Sequence, residues 1–245
     1  MMSVFRFKKF CVVNNRSAMK VNTDGVLLGA VMTVTAEDRN LLDIGTGTGT
    51  IALMAAQRLS EISDCPSEMN VEAIDIDEPS ATEAAANFQN SPWVSVLKVH
   101  HCSLDEFAPQ SERMYDLIFS NPPYFDNALQ APEERRNAAR HTSTGLSYRE
   151  IFEFAAERLT QQGRVALVLP SDTEHDLLRH ARMNGLHLFK ITRIRTVPRK
   201  APARIIAEFS RIRTDNPEDM ILTIQNEGQY TDEYLSFTKD FYLFA

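Results

Sequence analysis

Cysteine is scarce in this chain, and the cysteines present show no pairing pattern. The three cysteines, Cys11, Cys65 and Cys102, are odd in number and have no paired spacing, which speaks against a disulfide framework and indicates a reducing, cytoplasmic setting. The sequence has no signal segment and no run of about eighteen apolar residues, so neither secretion nor membrane insertion is indicated. The six histidines do not fall at zinc-ligand spacing with the cysteines, and we therefore expect no metal site.

Internal repeats and low-complexity tracts are also missing, and the chain reads as one domain. With 245 residues and a hydrophobic content of 43%, it is long enough for one sizeable core. Short apolar runs alternate with helical patterns, which predicts an α/β fold with a doubly wound, mostly parallel sheet. The predicted strands are 41–44, 71–75, 94–99, 115–120 and 164–169, and a helix around 148–159 precedes the last of them.

The last third of the chain has a different character. Its apolar runs are longer, at 186–197, 203–213 and 220–224. They predict an antiparallel edge of the sheet toward the C-terminus. A final amphipathic stretch, 232–242, predicts a short helix that packs on the rest.

Three glycines stand between the first predicted strand of the sheet and a helix. Gly45, Gly47 and Gly49 alternate with threonines directly after strand 41–44, and a helical pattern begins at Ile51. Glycine lets the backbone turn tightly and approach a ligand closely, while exposed amides at a helix start favour anionic groups. The unit therefore predicts a ligand-binding loop.

The glycine spacing discriminates between two ligands. A dinucleotide fingerprint requires glycine at the first, third and sixth positions, but Thr50 occupies the sixth position counted from Gly45, which argues against NAD. An acid, Asp43, also stands two residues ahead of the first glycine. A carboxylate there would repel a pyrophosphate. It suits an amine-bearing ligand such as S-adenosylmethionine, whose methionine end carries an ammonium group.

A second acid lies where a ribose is expected. Strand 71–75 ends roughly 20–30 residues after the glycines, at the spacing typical of the ribose acid in such folds. Asp75 at the strand's end can accept hydrogen bonds from both ribose hydroxyls, and Asp77 either caps the next helix or lines the pocket. We therefore predict that Asp75 binds the cofactor.

The sequence Asn121-Pro122-Pro123-Tyr124 follows strand 115–120 and is suited to hold a planar amine. The amide carbonyl of Asn121 and the main-chain carbonyl of Pro122 can both accept hydrogen bonds from one NH2 group, while the Tyr124 ring offers a stacking face. Prolines restrict the backbone, so these carbonyls are oriented before binding. In open α/β sheets, ligands bind beyond the carboxyl ends of the strands. These residues therefore predict transfer chemistry on a planar nitrogen.

Longer stretches carry a family resemblance that covers nearly the whole chain. These stretches are 7–10, 18–30, 91–93, 120–124, 140–142 and 241–244. Together with 43–49, 75 and 121–124, they resemble the class I S-adenosylmethionine-dependent methyltransferases of the amino-methylating branch. More narrowly, the chain is similar to the bacterial N6-adenine methyltransferases that modify a valine tRNA at the adenine just 3′ of the anticodon.

The resemblance implies a Rossmann-like fold of the class I methyltransferase type, with 1–245 as one domain and 1–38 as an extension on the substrate and cofactor side. It implies S-adenosylmethionine as cofactor, tRNA as partner, a monomer, and direct methyl transfer at Asn121, Pro122 and Tyr124, with Asn121 also bordering the cofactor. Many relatives carry an acid after the third strand, where this sequence has Ser103. A hydroxyl or the backbone is then expected to bond the cofactor's adenine amine.

Net charge is −7, which by itself speaks against a nucleic-acid partner. The distribution of charge matters more than the sum. Residues 190–213 hold eight cations against one acid, Glu208, and further cations cluster at 135–140 and 8–20. Phosphate contacts supply much of the affinity for RNA. We predict that RNA-contacting cations include Lys20, Arg140, Arg195 and Arg199.

Two other functions remain open on the sequence. The same Asn-Pro-Pro-Tyr motif serves enzymes that methylate a glutamine amide of a protein, but these need a long N-terminal recognition domain, and only about forty residues precede the glycine loop here. The chain is alternatively a non-catalytic RNA-binding relative that keeps the fold. The intact motif, the glycine loop and Asp75 argue against that second alternative.

Overall fold

The computed structural model describes residues 3–17, 19–123 and 146–244. Two predicted site residues, Tyr124 and Arg140, lie outside them. Within the described ranges, the strands are β1 (Val4–Arg6), β2 (Cys11–Val13), β3 (Asn40–Ile44), β4 (Asn70–Asp75), β5 (Leu97–His101), β6 (Tyr115–Ser120), β7 (Leu159–Pro170), β8 (His187–Arg195), β9 (Arg204–Ser210), β10 (Glu218–Thr223), β11 (Gln225–Asn226) and β12 (Gln229–Tyr230). The helices are α1 (Thr23–Val31), α2 (Thr50–Ile62), α3 (Glu78–Gln89), α4 (Leu104–Phe107), α5 (Tyr148–Arg158), α6 (Glu174–Met183) and α7 (Asp232–Thr238).

The central sheet has the strand order β10-β8-β9-β7-β6-β3-β4-β5 over the described residues. All neighbouring strands are parallel except β9, which runs antiparallel to both β7 and β8. The predicted doubly wound, mostly parallel sheet is confirmed, with its antiparallel strand in the C-terminal part. That strand lies third from the edge, because β8 and β10 pair outside it.

Alternate residues of the inner strands pack on opposite faces of the sheet. In β3, Leu41 belongs to the core that includes Leu53 of α2 and Phe88 of α3. Its neighbour Leu42 belongs to the core that includes Phe152 of α5. Helices therefore cover both faces, and this burial explains why the parallel strands read as continuous apolar runs in the sequence.

The strand order reverses at β3. From β3, the chain adds β4 and β5 on one side, while β6 and β7 lie on the other side. The carboxyl ends of β3 and β6 thus border the crevice in which ligands of open α/β sheets bind. The glycines follow β3 and Asn121 follows β6, so the topology places both motifs at this crevice.

Several predicted boundaries were wrong, among them the start of β7, which begins at Leu159 rather than at residue 164. Strand 94–99 was expected to begin earlier than β5 does, because the amides of Val96 and Leu97 donate to the Trp93 carbonyl in a turn that delays the strand. The final helix was expected to reach residue 242. Instead α7 ends at Thr238, and Tyr242 forms an antiparallel bridge with Phe7 of the N-terminal segment.

Candidate active site

The glycine loop adopts a backbone that ordinary side chains rarely permit. Gly45, Gly47 and Gly49 have φ angles of 72°, 57° and 79°. A Cβ atom on Gly49 would lie 2.5 Å from Cε1 of Phe88, so α2 and α3 approach closely only because glycine is present. Gly49 is also the N-cap of α2 and supplies no side-chain cap. The amide of Ala52 in this first turn interacts with the Asp43 carboxyl, and the amides of Thr50 and Ile51, which have no acceptor within the helix, can bind a polar ligand.

Asp43 is fully buried at the end of β3. Its Oδ2 accepts a hydrogen bond from Thr46 Oγ1 at 2.7 Å. The backbone amide of Ala52 also interacts with the carboxyl, while Oδ1 makes no hydrogen bond of full geometry among the described residues. Burial raises the pKa of the Asp43 carboxyl to about 7 because the charged form is poorly solvated there. A buried carboxylate oxygen without a full hydrogen bond suits a ligand ammonium group.

Asp75 joins the end of β4 to the glycine loop. Its Oδ2 accepts the amide hydrogen of Gly47 at 2.7 Å, and its Oδ1 accepts that of Asp77 at 2.9 Å. Burial raises the pKa of the Asp75 carboxyl. Each oxygen keeps a second lone pair that can accept a hydrogen bond from a ribose hydroxyl. The ribose-binding role of Asp75 stays a prediction. Asp77 is the N-cap of α3, one of the two roles expected for it, and accepts the Ser80 amide at 2.9 Å.

Ser103 follows β5 and is the N-cap of α4. The Ser103 hydroxyl accepts the Glu106 amide at 3.2 Å and the Ser103 amide donates to Glu106 Oε2 at 2.9 Å, which together form a capping box. The hydroxyl also donates to Glu106 Oε2 at 3.1 Å. The hydroxyl hydrogen is therefore already used within the helix cap. A cofactor contact through the Ser103 hydroxyl would have to use its remaining acceptor capacity.

Asn121 is nearly buried directly after β6, and Pro122 is buried beside it. The Asn121 amide nitrogen lies 3.5 Å from Sδ of Met19. Asn121, Met19 and the glycine loop line the same crevice, together with residues 20–22. The fourth member of the motif, Tyr124, lies outside the described residues, so its stacking role stays a prediction.

Two residues of this crevice were missed from the sequence. Ser120 donates a hydrogen bond of 2.6 Å to the carbonyl of Ile44, which holds the end of β6 against the residue that precedes Gly45. A hydroxyl at the last position of a buried strand was the available signal. Met19 was not predicted to line the site, because no local sequence pattern relates it to Asn121, which lies 102 positions away.

In the folded protein, acidic side chains lie beside several cations of the basic stretch 190–213. Several of its cations form ion pairs: Arg193 with Glu174 and Asp219, Lys190 with Glu208, Arg204 with Asp24, and Arg213 with Asp215. Arg195 donates to Thr223 Oγ1 at 2.8 Å and to the Pro198 carbonyl at 3.0 Å. Arg199 is exposed in the loop between β8 and β9, at the same edge of the sheet as Asn121. Lys20 is exposed at the crevice itself.

The described ranges hold neither a metal-ligand cluster nor a helix that could span a membrane. Among those residues, no group of three or more histidine, cysteine, aspartate or glutamate side chains could hold a metal ion. Over the same residues, no helix is both long and apolar enough to cross a membrane.

Known proteins resemble this chain in family pattern and in fold. A family model described as the methyltransferase small domain matches residues 17–186. The fold is similar to that of a predicted O-methyltransferase from Agrobacterium tumefaciens, with a TM-score of 0.63 and 14% identity over 89% of this chain and 96% of that one. Fold and family model together define a class I methyltransferase.

Relatives of higher identity match 98% of the chain. A tRNA1(Val) (adenine(37)-N6)-methyltransferase of Parabacteroides distasonis is 40% identical over 98% of this chain and 97% of its own length. Proteins of the same name from Flavobacterium psychrophilum and Klebsiella pneumoniae are 38% and 37% identical over 98% of this chain, and 99% and 95% of their own lengths are covered. The chain therefore belongs to the family of tRNA1(Val) (adenine(37)-N6)-methyltransferases.

The cofactor of this family of enzymes is S-adenosylmethionine, and the residues present fit it. The buried Oδ1 of Asp43, which makes no hydrogen bond of full geometry among the described residues, suits the ammonium of the methionine end. Gly47 lines the crevice beside Met19 with a φ of 57°, a conformation that residues with a side chain rarely adopt, so its backbone can approach a ligand closely.

Proposed function

We propose that this protein transfers a methyl group from S-adenosylmethionine to the exocyclic N6 of an adenine in the anticodon loop of tRNA, and that the tRNA is a valine tRNA. One observation carries the proposal: the chain is 40% identical, over 98% of its length, to a relative named for this reaction. The position of Asn121 beside the glycine loop supports it, because the amine-binding motif and the cofactor loop share one crevice.

The cofactor, when bound, would supply a methyl group on its sulfonium sulfur. In-line attack by the amine lone pair forms the N–C bond as the C–S bond breaks, the sulfur leaves as a neutral thioether, and the methylated nitrogen releases a proton to water. Residues proposed to hold it are Asp43, Gly45, Gly47, Gly49, Asp75, Ser103 and Asn121. Asp43 would pair with the ammonium group and Asp75 with the ribose hydroxyls. Ser103 would face the adenine of the cofactor.

Asn121 and Pro122 would orient the substrate amine. The side-chain carbonyl of Asn121 and the main-chain carbonyl of Pro122 accept its two hydrogens, which turns the nitrogen lone pair out of conjugation with the ring. Tyr124 would stack on the base. Extruding an adenine from a loop costs a few kcal/mol at most, and stacking on an aromatic ring offsets about 1–3 kcal/mol of it. The enzyme's contribution is mainly orientation of the reacting groups.

Recognition of the RNA would use cations around the crevice. Lys20 and Arg199 are exposed at the carboxyl edge of the sheet, and Arg195 braces the turn beside Arg199 through the Pro198 carbonyl. Arg140 completes the proposed set from outside the described residues. The protein would act as a monomer in the cytoplasm, as one domain in which residues 1–38 extend over the substrate and cofactor side.

The test is mass spectrometry of nucleosides from purified valine tRNA. A strain that lacks this protein should lose N6-methyladenosine from the anticodon loop, and the wild-type gene should restore it. The variant Asn121→Ala should not restore it, since losing one positioned polar group costs about 2–4 kcal/mol of transition-state stabilisation. Asn90→Ala is the matched control, because Asn90 is an exposed residue at the C-terminal end of α3.

Radiolabelled cofactor and purified enzyme separate the alternative activities. Label should enter tRNA and not protein. Label in a protein glutamine would overturn the proposal in favour of a protein methyltransferase. Cofactor binding without transfer to tRNA or protein would favour a non-catalytic relative. Near wild-type turnover in Asn121→Ala would remove Asn121 from the catalytic site.

A further inference from the structure

One face of α3 carries polar side chains where an apolar face is expected. Ser80, Glu83 and Asn87 follow the helical spacing i, i+3 and i+7, and all three are buried. Each forms a hydrogen bond to the N-terminal segment. None of them belongs to the motifs of the glycine loop, Asp75 or Asn121. Buried polar groups at such spacing indicate a built contact between α3 and the segment.

Glu83 binds three successive backbone amides. Its Oε1 accepts the amides of Asn15 and Arg16 at 2.7 and 2.9 Å, and its Oε2 accepts the amide of Ser17 at 3.0 Å. Successive amides converge on one anion only when the backbone forms a compact nest. Hydrogen bonds to an ionised acceptor are stronger than neutral ones. Glu83 therefore specifies the local conformation of residues 15–17.

This turn connects directly to the wall of the crevice. The hydroxyl of Ser17 lies 2.9 Å from that of Ser80 and donates to the carbonyl of Met19 at 3.1 Å. The Met19 sulfur in turn lies 3.5 Å from the amide nitrogen of Asn121. A short chain of contacts therefore links the Glu83 carboxylate to Asn121, the residue proposed to bind the substrate amine.

The same helix also holds the glycine loop. Nδ2 of Asn87 donates to the carbonyls of Thr48 and Val13 at 2.8 and 3.0 Å, and its Oδ1 accepts the Val13 amide at 2.8 Å. One rigid helix therefore contacts both sides of the crevice, the loop on one side and the N-terminal segment on the other. Their separation depends on α3.

We propose that Glu83 is a positioning residue, which holds the 15–17 turn so that residues 19–22 close one side of the cofactor crevice. The inference rests on the proposed function only for the identity of the ligand. Glu83 itself does not touch the reacting atoms. A glutamine at this position has one acceptor oxygen and presents an NH2 group to backbone amides, so at least one amide loses its partner.

The experiment compares Glu83→Gln with Glu78→Gln, an equal charge change at an exposed position of the same helix. S-adenosylhomocysteine is the binding probe, titrated by calorimetry. Trypsin cleavage after Arg16 and Lys20, two exposed sites in the segment, reports whether the segment is held in a fixed conformation. Glu83→Gln should raise the dissociation constant about tenfold, as expected when a charge-assisted hydrogen bond is removed, and should speed cleavage. KM for S-adenosylmethionine should rise together with the dissociation constant of the probe, while kcat at saturating cofactor stays near wild type.

Wild-type affinity and wild-type cleavage in Glu83→Gln would overturn the inference. If Glu83→Gln fails to fold, Ser17→Ala tests the next contact of the chain, and unchanged affinity and cleavage in that variant would overturn the inference equally. A shift in probe affinity without tRNA methylation by the wild-type protein would leave the inference standing and contradict the proposed function instead.

Discussion

The carboxylate of Asp75 accepts the amide hydrogen of Gly47 at 2.7 Å. This bond ties the end of β4 to the glycine loop that follows β3, two strands that are neighbours in the sheet. Asp75 is thus both a proposed ribose ligand and a brace of the loop. The two roles act in the same direction, because a loop held in its bound conformation loses less entropy when the cofactor arrives.

Asp75→Ala should weaken cofactor binding by more than tenfold, because it removes the proposed ribose ligand and the loop brace together, each worth about 1 kcal/mol or more. The rate at saturating cofactor should largely recover. Calorimetric titration with S-adenosylhomocysteine measures the effect. Asp77→Ala is the control: it removes an N-cap, which lowers stability by about 1 kcal/mol, but leaves affinity near wild type. An unchanged dissociation constant in Asp75→Ala would contradict the role.

Asp43→Asn should weaken probe binding more strongly at high pH than at low pH. Since burial raises the pKa of Asp43 to about 7, the carboxylate that would pair with the ligand ammonium forms mainly above neutrality. The ratio of dissociation constants between the variant and the wild type should therefore grow from about pH 6 to 8. The ligand's own titration cancels in this ratio. A ratio that does not change with pH would show that Asp43 does not pair with the ammonium group of the ligand.

The raised pKa of Asp43 also predicts that the free energy of unfolding falls as pH rises, whereas the binding advantage of the wild type over Asp43→Asn increases. The unfolded carboxyl ionises near 3.8 and the folded one near 7, so the fold favours the protonated form. This preference stabilises the protein at low pH, is lost as pH rises through the folded pKa, and leaves a constant penalty above it. Asp43→Asn should therefore gain melting temperature relative to wild type from about pH 4 to 7 and keep that gain at higher pH. A constant difference between the two melting curves would contradict the buried charge.

Gly49→Ala should destabilise the protein by about 2–4 kcal/mol, because it combines an unfavourable φ with a clash against packed neighbours. Its φ is 79°, and the new Cβ would lie 2.5 Å from Phe88 Cε1. Gly185→Ala separates the two causes. Gly185 has a φ of 69° but nothing within 4 Å of the new Cβ, so only the backbone cost remains. Urea unfolding of both variants measures the difference, and equal losses would mean that Phe88 moves aside at no cost.

Lys20→Ala and Arg199→Ala should each weaken tRNA binding, and Arg199→Ala, a change outside the cofactor crevice, should leave cofactor binding unchanged. The slope of log affinity against log salt should flatten by roughly 0.7–0.9 for each phosphate that the variant no longer neutralises. Arg195→Ala should act through the turn it braces and change the slope less. Arg140→Ala is expected to flatten the slope as Lys20→Ala and Arg199→Ala do.

Arg213→Ala is the matched control for these variants. Arg213 is exposed beyond the C-terminal end of the antiparallel β9, at the edge of the sheet opposite Asn121. Filter binding across a salt series makes the comparison. Wild-type affinity and slope in Lys20→Ala and Arg199→Ala would place the RNA on another surface.

Local signals in the sequence were sufficient for the fold class and for the position of the glycine loop and Asn121 at one edge of the sheet. The strand, glycine loop and helix at 41–56 lie consecutively in the chain, and so do the strand and motif at 115–124. Topology rules then place both at the carboxyl edge of a parallel sheet. Such features are readable because backbone geometry and burial periodicity are properties of contiguous residues.

Only the tertiary structure decided which partners these residues have. The sequence offers no sign that Glu83 binds the amides of residues 15–17, which lie 66 to 68 positions away, nor that Asp24 neutralises Arg204. The position of β9 between β7 and β8 was likewise not determined by its own residues. Hydrogen bonds, ion pairs and strand order depend on which distant segments meet when the chain closes its core, and that closure is a property of the whole fold rather than of any local pattern.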